Sequence, residues 1–256
     1  MYPFAMIKKW SAGLFILMLP AVSLAATDAL KVTQIINGKS LVLESGDTVR
    51  LASIEVPNVK EEKPPYRNGE PLGDEARKAL ENLVAGKSVQ IDAKPGTRDR
   101  HNRLLGQVFT SDGVWLQGAM LTQGYAMVYS FNDDSHDVIE KMLAHEREAR
   151  AAGRGIWAHP YFRIITPQET SEFINRFKIV EGVIKSVNLS HDNMYINFSE
   201  HWKGQFAVFI SRKYTAAFAA LNPQSLVGKK VRVRGWINYH NAPMIDITHP
   251  EQIEME

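Results

Sequence analysis

The stretch KVTQIINGKSLVLESGDTVRL, residues 31–51, decides the fold class of the first part of the chain. Short runs of β-branched and aliphatic residues alternate here with the turn pairs Asn37-Gly38 and Gly46-Asp47. Such pairs favour the tight turns that join antiparallel strands. The stretch therefore predicts a meander of paired strands.

A polar loop at residues 58–73 is followed by a stretch whose apolar residues have the spacing of a helix. Apolar residues share one helix face between Ala76 and Val84, with Asp74 as the expected N-cap and Gly86 as the stop. The other elements predicted in this half are strands at 88–91 and 105–109 and helices at 116–123 and 136–152, the last capped by Ser135.

The pattern changes after residue 158. Residues 159–177 contain Pro160 and Pro167 and show no clear period, which is typical of a linker. The remaining chain, 178–256, shows the order three strands, helix, two strands, which is that of a small OB-type barrel. The predicted strands are 177–187, 194–198, 206–210, 229–239 and 243–248, and the predicted helix is 213–221.

The first 25 residues carry the pattern of a secretory signal. Lys8 and Lys9 precede an apolar run at 12–24, and small residues at Ser23 and Ala25 suit a signal peptidase. We expect a cleaved signal peptide, with an uncleaved anchor as the alternative, and an exported protein that is periplasmic or secreted. No later segment is apolar enough to span a membrane, so no membrane contact is expected after cleavage.

Charge and cysteine content limit the functions. Removing the leader takes the formal charge from +2 to zero, because Lys8 and Lys9 are its only charges. Binding of nucleic acid or another polyanion would therefore need a local basic patch. The chain contains no cysteine, which excludes disulfides and thiolate metal sites.

Four motifs make residues 29–158 resemble the staphylococcal nuclease (thermonuclease) family. They are Asn37-Gly-Lys-Ser-Leu-Val-Leu43, Arg50-Leu-Ala-Ser-Ile-Glu-Val-Pro-Asn58, Asp99-Arg-His-Asn-Arg-Leu-Leu-Gly106 and Glu148-Ala-Arg-Ala-Ala-Gly-Arg-Gly-Ile-Trp157. The resemblance implies a mainly β (α+β) fold: a five-stranded OB barrel with three helices. The second small OB-like barrel follows it, as in some exported bacterial proteins.

The resemblance also implies a calcium-assisted phosphodiesterase site. In the family two acidic side chains help to hold calcium, a glutamate helps to activate water, and two arginines stabilise the transition state. Arg50 and Arg103 match both arginines, and Glu55 keeps a carboxylate at the second calcium position.

Two of the family positions are substituted. Lys39 stands where the first calcium-binding aspartate would be, and a Lys39–Glu55 ion pair is expected in the place of the metal. Asn58 stands where the water-activating glutamate would be, and an amide cannot act as a general base. No cofactor is therefore expected. Calcium is expected only if the protein is an active enzyme. Glu61 and Glu62 could replace the lost acid, although a solvated charge cluster is the simpler interpretation.

The second barrel offers a candidate nucleic-acid surface of aromatic and basic side chains. Its main members are Arg232, Arg234, Trp236 and Tyr239, and Tyr195, Trp202, Lys229 and Lys230 could add to it. The alternative is a structural barrel with a mixed-charge surface. His191, His201, His240 and His249 are expected at the surface.

Three functions are consistent with these patterns. The first is an exported protein with an inactive or impaired phosphodiesterase site that binds nucleic acid or another phosphate-bearing ligand. The second is a weak or repurposed calcium-dependent nuclease, and the third is a protein-interaction module of the cell envelope.

Overall fold

The computed structural model describes residues 30–60, 69–93, 96–131, 134–201 and 203–256. Its first half contains a closed five-stranded barrel in the order β1-β2-β3-β6-β5. The strands of this half are β1 Leu30–Asn37, β2 Ser40–Leu43, β3 Thr48–Leu51, β4 Ile54–Glu55, β5 Ser88–Asp92, β6 Leu104–Thr110 and β7 Met127–Val128. Barrel neighbours are antiparallel except β3 and β6, and β4 pairs with β7 apart from the barrel.

Three helices cover this barrel: α1 Gly73–Val84, α2 Leu116–Thr122 and α3 His136–Ala151. Their buried faces share one apolar core with the strands, which includes Leu41, Leu80 and Met142. The predicted N-cap Asp74 is wrong, because Leu72 occupies the cap position with φ +63°. A Cβ at Gly73 would lie 2.4 Å from the Asn58 carbonyl oxygen. The helix therefore begins at a glycine that can approach the preceding loop.

The second half is a curled sheet in the order β14-β12-β13-β11-β10-β9, with β8 paired to β12. Its strands are β8 Phe177–Val183, β9 Ser186–Ser190, β10 Asn193–Asn197, β11 Ala207–Ile210, β12 Lys230–Tyr239, β13 Pro243–Asp246 and β14 Ile253–Met255. The consecutive strands β8 and β9 lie far apart in the sheet: β8 pairs with β12 near one end, and β9 pairs with β10 at the other end. The short connection between them therefore requires the sheet to curl. Its parallel pair, β11 with β13, repeats the parallel pair of the first barrel. The predicted mainly β fold with two β domains is confirmed: the first is the closed five-stranded barrel, and the second is a curled, OB-like sheet.

Several predicted elements of the second half differ in detail. The expected helix at 213–221 is a 3-10 turn, Thr215–Phe218, followed by another at Pro223–Leu226. Asn222 has φ +47°, and a residue that precedes proline is disfavoured in the α conformation. The expected strand at 177–187 bends between Val183 and Ser186, and β14 was not predicted.

The two halves share an apolar cluster. It includes Met127 of β7, Phe162 of the predicted linker and Ile179 of β8. The region 159–177 contains two 3-10 helices, Pro160–Phe162 and Pro167–Phe173, and packs against both halves. Burial of apolar surface therefore holds the second barrel against the first.

A buried ion-pair network lies at the same junction. Arg234 of β12 is fully buried, and its Nη1 lies 2.7 Å from Oε2 of Glu146 on α3. Its Nη2 lies 3.2 Å from Oε2 of Glu254 on β14, and Arg150 of α3 contacts the other oxygen of Glu254 at 2.5 Å. Buried charges are stable only when they are paired in this way.

No helix within the described ranges is long and apolar enough to cross a membrane. The predicted signal peptide, residues 1–25, lies outside the described residues.

Candidate functional site

Three elements of the first half bring the predicted site residues together. Lys39 lies in the turn between β1 and β2, Arg50 lies on β3, and Glu55 lies on β4. Ser40 and Arg50 are cross-strand partners, and Arg50 pairs with Leu105 of β6, two residues beyond Arg103. The closed barrel therefore gathers side chains that are up to 64 positions apart.

The expected ion pair between Lys39 and Glu55 is present. The Lys39 ammonium donates a hydrogen bond to Oε1 of Glu55, and Nη2 of Arg50 lies 3.4 Å from Oε2. Lys39 is 7% exposed and Glu55 is 3% exposed, so solvent screens the pair weakly. Both carboxylate oxygens of Glu55 thus face a cation.

The electrostatic environment of Lys39 is unusual for a lysine. Burial lowers the pKa of its ammonium, and Glu55 opposes that change. The nearby charges of Arg50 and Arg103 lower the pKa further. Burial is thus the main cause of the lowered pKa of Lys39, and the two arginines add to it.

Arg103 is held by the loop that precedes β6. Its Nε and Nη2 donate to Oδ2 of Asp99 at 2.8 and 2.6 Å, and its Nη1 lies 3.5 Å from Oγ of Ser40. Burial acts to raise the pKa of Asp99, but hydrogen bonds from Arg103 outweigh it and leave that pKa lowered. Asp99 therefore fixes the guanidinium while Nη1 remains directed towards the barrel.

The site concentrates positive charge and does not suit calcium. Three cations, Lys39, Arg50 and Arg103, face the two carboxylates of Glu55 and Asp99. Calcium requires six to eight oxygen ligands, whereas here an ammonium occupies one oxygen of the retained carboxylate. The residues present do not fit the calcium ion that the resemblance implies. Across the described ranges no group of three acidic or histidine side chains is arranged to hold a metal ion.

Asn58 belongs to a hydrogen-bond chain that leads away from the site. Its backbone N–H and side-chain amide donate to Oε2 of Glu70 at 2.9 and 2.7 Å. The other oxygen of Glu70 accepts from the hydroxyl of Tyr161 at 2.9 Å, and Arg176 donates to the same hydroxyl. Asn58 thus connects the first half to the linker through Glu70 and Tyr161.

Glu70 was not predicted from the sequence. The residues considered as replacement acids, Glu61 and Glu62, lie outside the described residues. Glu70 lies in the same polar loop and lines a small cavity together with Glu55 and Asn58. No sequence signal distinguishes it, because its partners are 12 and 91 positions away.

The second half of the chain forms one wall of this cavity. Its aromatic side chains there are Phe177 of β8 and Trp236 of β12, whose ring centroids lie 6.1 Å apart. Tyr129 of the first half packs 5.0 Å from Phe177. Burial raises the pKa of Tyr129 to about 12, and the negative charge of Glu55 acts in the same direction. The family site therefore borders an aromatic surface supplied by both halves.

The four residues of the predicted nucleic-acid surface do not form one accessible surface. Arg234 lies on the outer face, as expected, but it is fully buried against Glu146 of the first half and is therefore not available to a ligand. Arg232 pairs with Glu181 at 2.8 Å and with Glu256. Side chains of β12 alternate as predicted, with Val231 pointing into the core of the second half. The opposite face of β12 is covered by the first half at Arg234.

Trp236 and Tyr239 have different surroundings. Trp236 is half-buried at the cavity, whereas Tyr239 is 65% exposed at the end of β12. Trp202 lies outside the described residues. His249 is not at the surface as expected, because it is 6% exposed and contacts Glu251.

Comparisons with known proteins agree with the geometry of the first half. A family model described as staphylococcal nuclease homologue matches residues 48–159. An uncharacterized endonuclease of Escherichia coli O157:H7 is 30% identical over 129 residues, which are 50% of this chain and 76% of that protein. Endonuclease YncB of Bacillus subtilis (strain 168) is 32% identical over 132 residues, 51% of this chain and 57% of that protein.

A probable staphylococcal-like nuclease of Oryza sativa subsp. japonica is 33% identical over 110 residues. The match covers 43% of this chain and 26% of the rice protein. The chain thus spans only part of several relatives, and the family model ends before the second barrel begins.

Proposed function

The chain belongs to the staphylococcal nuclease family, and on that premise we propose that its site binds a phosphate-bearing ligand, above all nucleic acid, while phosphodiester hydrolysis is strongly impaired. The observation that carries this proposal is the buried ion pair of Lys39 with Glu55, beside Arg50 and Arg103. Relatives named as nucleases or endonucleases support nucleic acid as the ligand class.

Phosphate binding follows from the charge balance of the site. Arg50 and Arg103 carry planar guanidinium groups that suit phosphate oxygens, and Lys39 adds a third cation. The side chains of Arg50 and Arg103 are 15% and 22% exposed, which leaves part of each guanidinium accessible. Burial and, to a smaller extent, the charges of Arg50 and Arg103 lower the pKa of Lys39, and a bound phosphate would offset the contribution of the two arginines.

Impaired hydrolysis follows from two side chains. Asn58 donates its amide to Glu70 and has no proton equilibrium that could activate water. Lys39 places a positive charge where the family needs an oxygen ligand for a divalent cation. Loss of general acid–base catalysis alone typically costs about 10²- to 10⁴-fold in rate. We also propose, from residues 1–25, that the protein is exported to the periplasm or secreted.

Oligonucleotide binding at low salt is the direct test. A fluorescently labelled single-stranded oligonucleotide should bind the full chain, and Arg50→Ala or Arg103→Ala should weaken binding by about tenfold or more, because charge-assisted hydrogen bonds are each worth about 1.5–3 kcal/mol. Arg154→Ala is the matched control, since Arg154 is exposed and pairs with Glu148 at the end of α3. Fluorescence anisotropy measures all four proteins.

A calcium-titrated cleavage assay tests the impaired chemistry. The wild-type chain should show no calcium-dependent cleavage. If it cleaves and Arg50→Ala abolishes cleavage, the protein is a calcium-dependent nuclease and the proposal is wrong. If no oligonucleotide binds at low salt, a protein-interaction role replaces phosphate binding.

A further inference from the structure

We propose that the two barrels together form a base-stacking track for single-stranded nucleic acid, which runs from the family site across the outer face of the second sheet. This inference rests on the proposed function, because it extends a ligand whose phosphate lies at Arg50 and Arg103. It names the ligand as a single strand and assigns it a second contact region, the aromatic row defined below.

The register of the second sheet places aromatic side chains in one lateral row. Phe177 of β8 pairs with Trp236 of β12, and Tyr195 of β10 pairs with Phe209 of β11. Phe209 in turn pairs with Asp246 of β13. Ile237 of β12 pairs with Ile245 of β13 in an antiparallel register. The next pair in that register is Trp236 with Asp246. We call Phe177, Trp236, Asp246, Phe209 and Tyr195 the aromatic row.

The aromatic row lies on the outside of the barrel. Alternate side chains of these strands, such as Val208, Ile196 and Ile237, are fully buried in the barrel core. Tyr195 and Phe209 are half-buried, do not belong to that core, and have ring centroids 5.1 Å apart. The buried Arg234 marks the part of the outer face that the first half covers. The part that carries Tyr195 and Phe209 retains partly exposed rings.

The aromatic row begins at the cavity that Glu55 lines. Phe177 and Trp236 line the cavity beside Glu55, and Tyr129 packs on Phe177. Neighbouring strands are about 4.8 Å apart, so the four steps from β8 to β10 span about 19 Å. A ligand bound at the arginines can therefore continue over the aromatic row for several nucleotides.

The charges of the aromatic row favour bases over phosphates. Asp246 is the charged member of the row, and its Oδ2 lies 3.3 Å from Nδ2 of Asn238 and 3.8 Å from Nε2 of His240. A carboxylate repels phosphate but accepts hydrogen bonds from the exocyclic amino groups of bases. Aromatic rings stack on the faces of unpaired bases, whereas bases in a duplex already stack on one another. A single strand therefore fits better than a duplex or a polyphosphate.

Two oligonucleotides separate this inference from phosphate binding alone. One is a single-stranded 12-mer, and the other has the same backbone with abasic sites. The wild-type chain should bind the base-containing strand at least tenfold more tightly. Tyr195→Leu/Phe209→Leu should remove about tenfold of that affinity and leave abasic binding unchanged, because base–aromatic stacking is lost while the arginines remain.

Tyr239→Leu is the matched control. Tyr239 is an exposed aromatic residue of the same sheet. It lies two residues beyond Ile237 on β12, so both side chains are on the face opposite the aromatic row. It should bind both strands as the wild type does. Thermal unfolding confirms that each variant is folded, and leucine keeps most of the apolar volume.

The outcomes distinguish the two proposals. Equal affinity for the two strands, or equal effects of Tyr195→Leu/Phe209→Leu and Tyr239→Leu, overturns the stacking track even if Arg50→Ala still weakens binding. If Arg50→Ala and Arg103→Ala leave both affinities unchanged, the proposed phosphate site fails and the track that depends on it fails with it. Absence of binding to either strand overturns both.

Discussion

Asn58, which the resemblance sets at the position of a catalytic glutamate, uses its donors for hydrogen bonds within the structure. Its two donors hold Glu70, which in turn accepts a hydrogen bond from Tyr161. Restoring the family residue would therefore change more than the chemistry. It would place two carboxylates within hydrogen-bond distance in a half-buried position.

We predict that Asn58→Glu destabilises the protein by about 1–3 kcal/mol, because a hydrogen bond is replaced by repulsion between like charges. Urea unfolding measures the loss. Glu70→Gln in the same chain should recover part of the stability, since it removes the second charge. An Asn58→Glu variant that keeps wild-type stability, or gains calcium-dependent cleavage by itself, would contradict this view of Asn58.

Among the elements, β12 and α3 determine how the two halves fit together. The face of β12 that would otherwise be solvent-exposed carries Arg234, and α3 supplies Glu146 to pair with it. Glu146 also accepts the backbone N–H of Val128 at 2.6 Å and thereby fixes β7. The second barrel thus stabilises the strand that leads to Tyr129 and the aromatic surface beside the site.

We predict that Glu146→Gln costs about 3–5 kcal/mol, because it leaves a buried arginine without its main counter-charge. Arg147→Ala on the same helix should cost less than about 1 kcal/mol, since Arg147 is 45% exposed and its ion pairs are 3.8 and 3.9 Å long. Chemical denaturation of the two variants compares them. Equal losses would argue against a junction held by the buried pair.

For the whole molecule, the contact between the halves includes a titratable pair. His136, the first residue of α3, contacts Glu251, which also contacts His249. The hydrogen bond and negative charge of Glu251 raise the pKa of His136 above its usual value of 6.5. A raised folded-state pKa means that this stabilisation is fully present below pH 6.5 and is lost as the pH rises through the raised value.

We therefore expect His136→Gln to lower the unfolding midpoint temperature at pH 6 and to match the wild type at pH 9. His136 is 71% exposed, so the difference should be small. His201→Gln, at an exposed position of the second half, is the control and should show no such change between the two pH values. A difference that persists at pH 9 would show that His136 stabilises the protein without its charge.

Local patterns in the sequence determined most of the fold. Turn pairs such as Asn37-Gly38 and helical spacing such as that of Ala76 to Val84 act over a few residues, and such patterns located strands of both halves and the helices of the first half. The errors are also local in origin. Asp74 is displaced from its cap by the close packing of Gly73 on Asn58, and the helix expected at 213–221 is limited by the Asn222-Pro223 pair.

The sequence by itself predicted the candidate site at Lys39, Arg50, Glu55 and Arg103, because the order and spacing of the motifs match those of the family that the chain resembles. Only the tertiary structure decided which side chains surround them. Glu70 reaches Asn58, Arg234 is buried, and Phe177 and Trp236 extend the site towards Tyr195 and Phe209. These outcomes depend on which face of β12 the first half covers. That choice is made by the packing of two surfaces that are far apart in sequence, which local patterns do not encode.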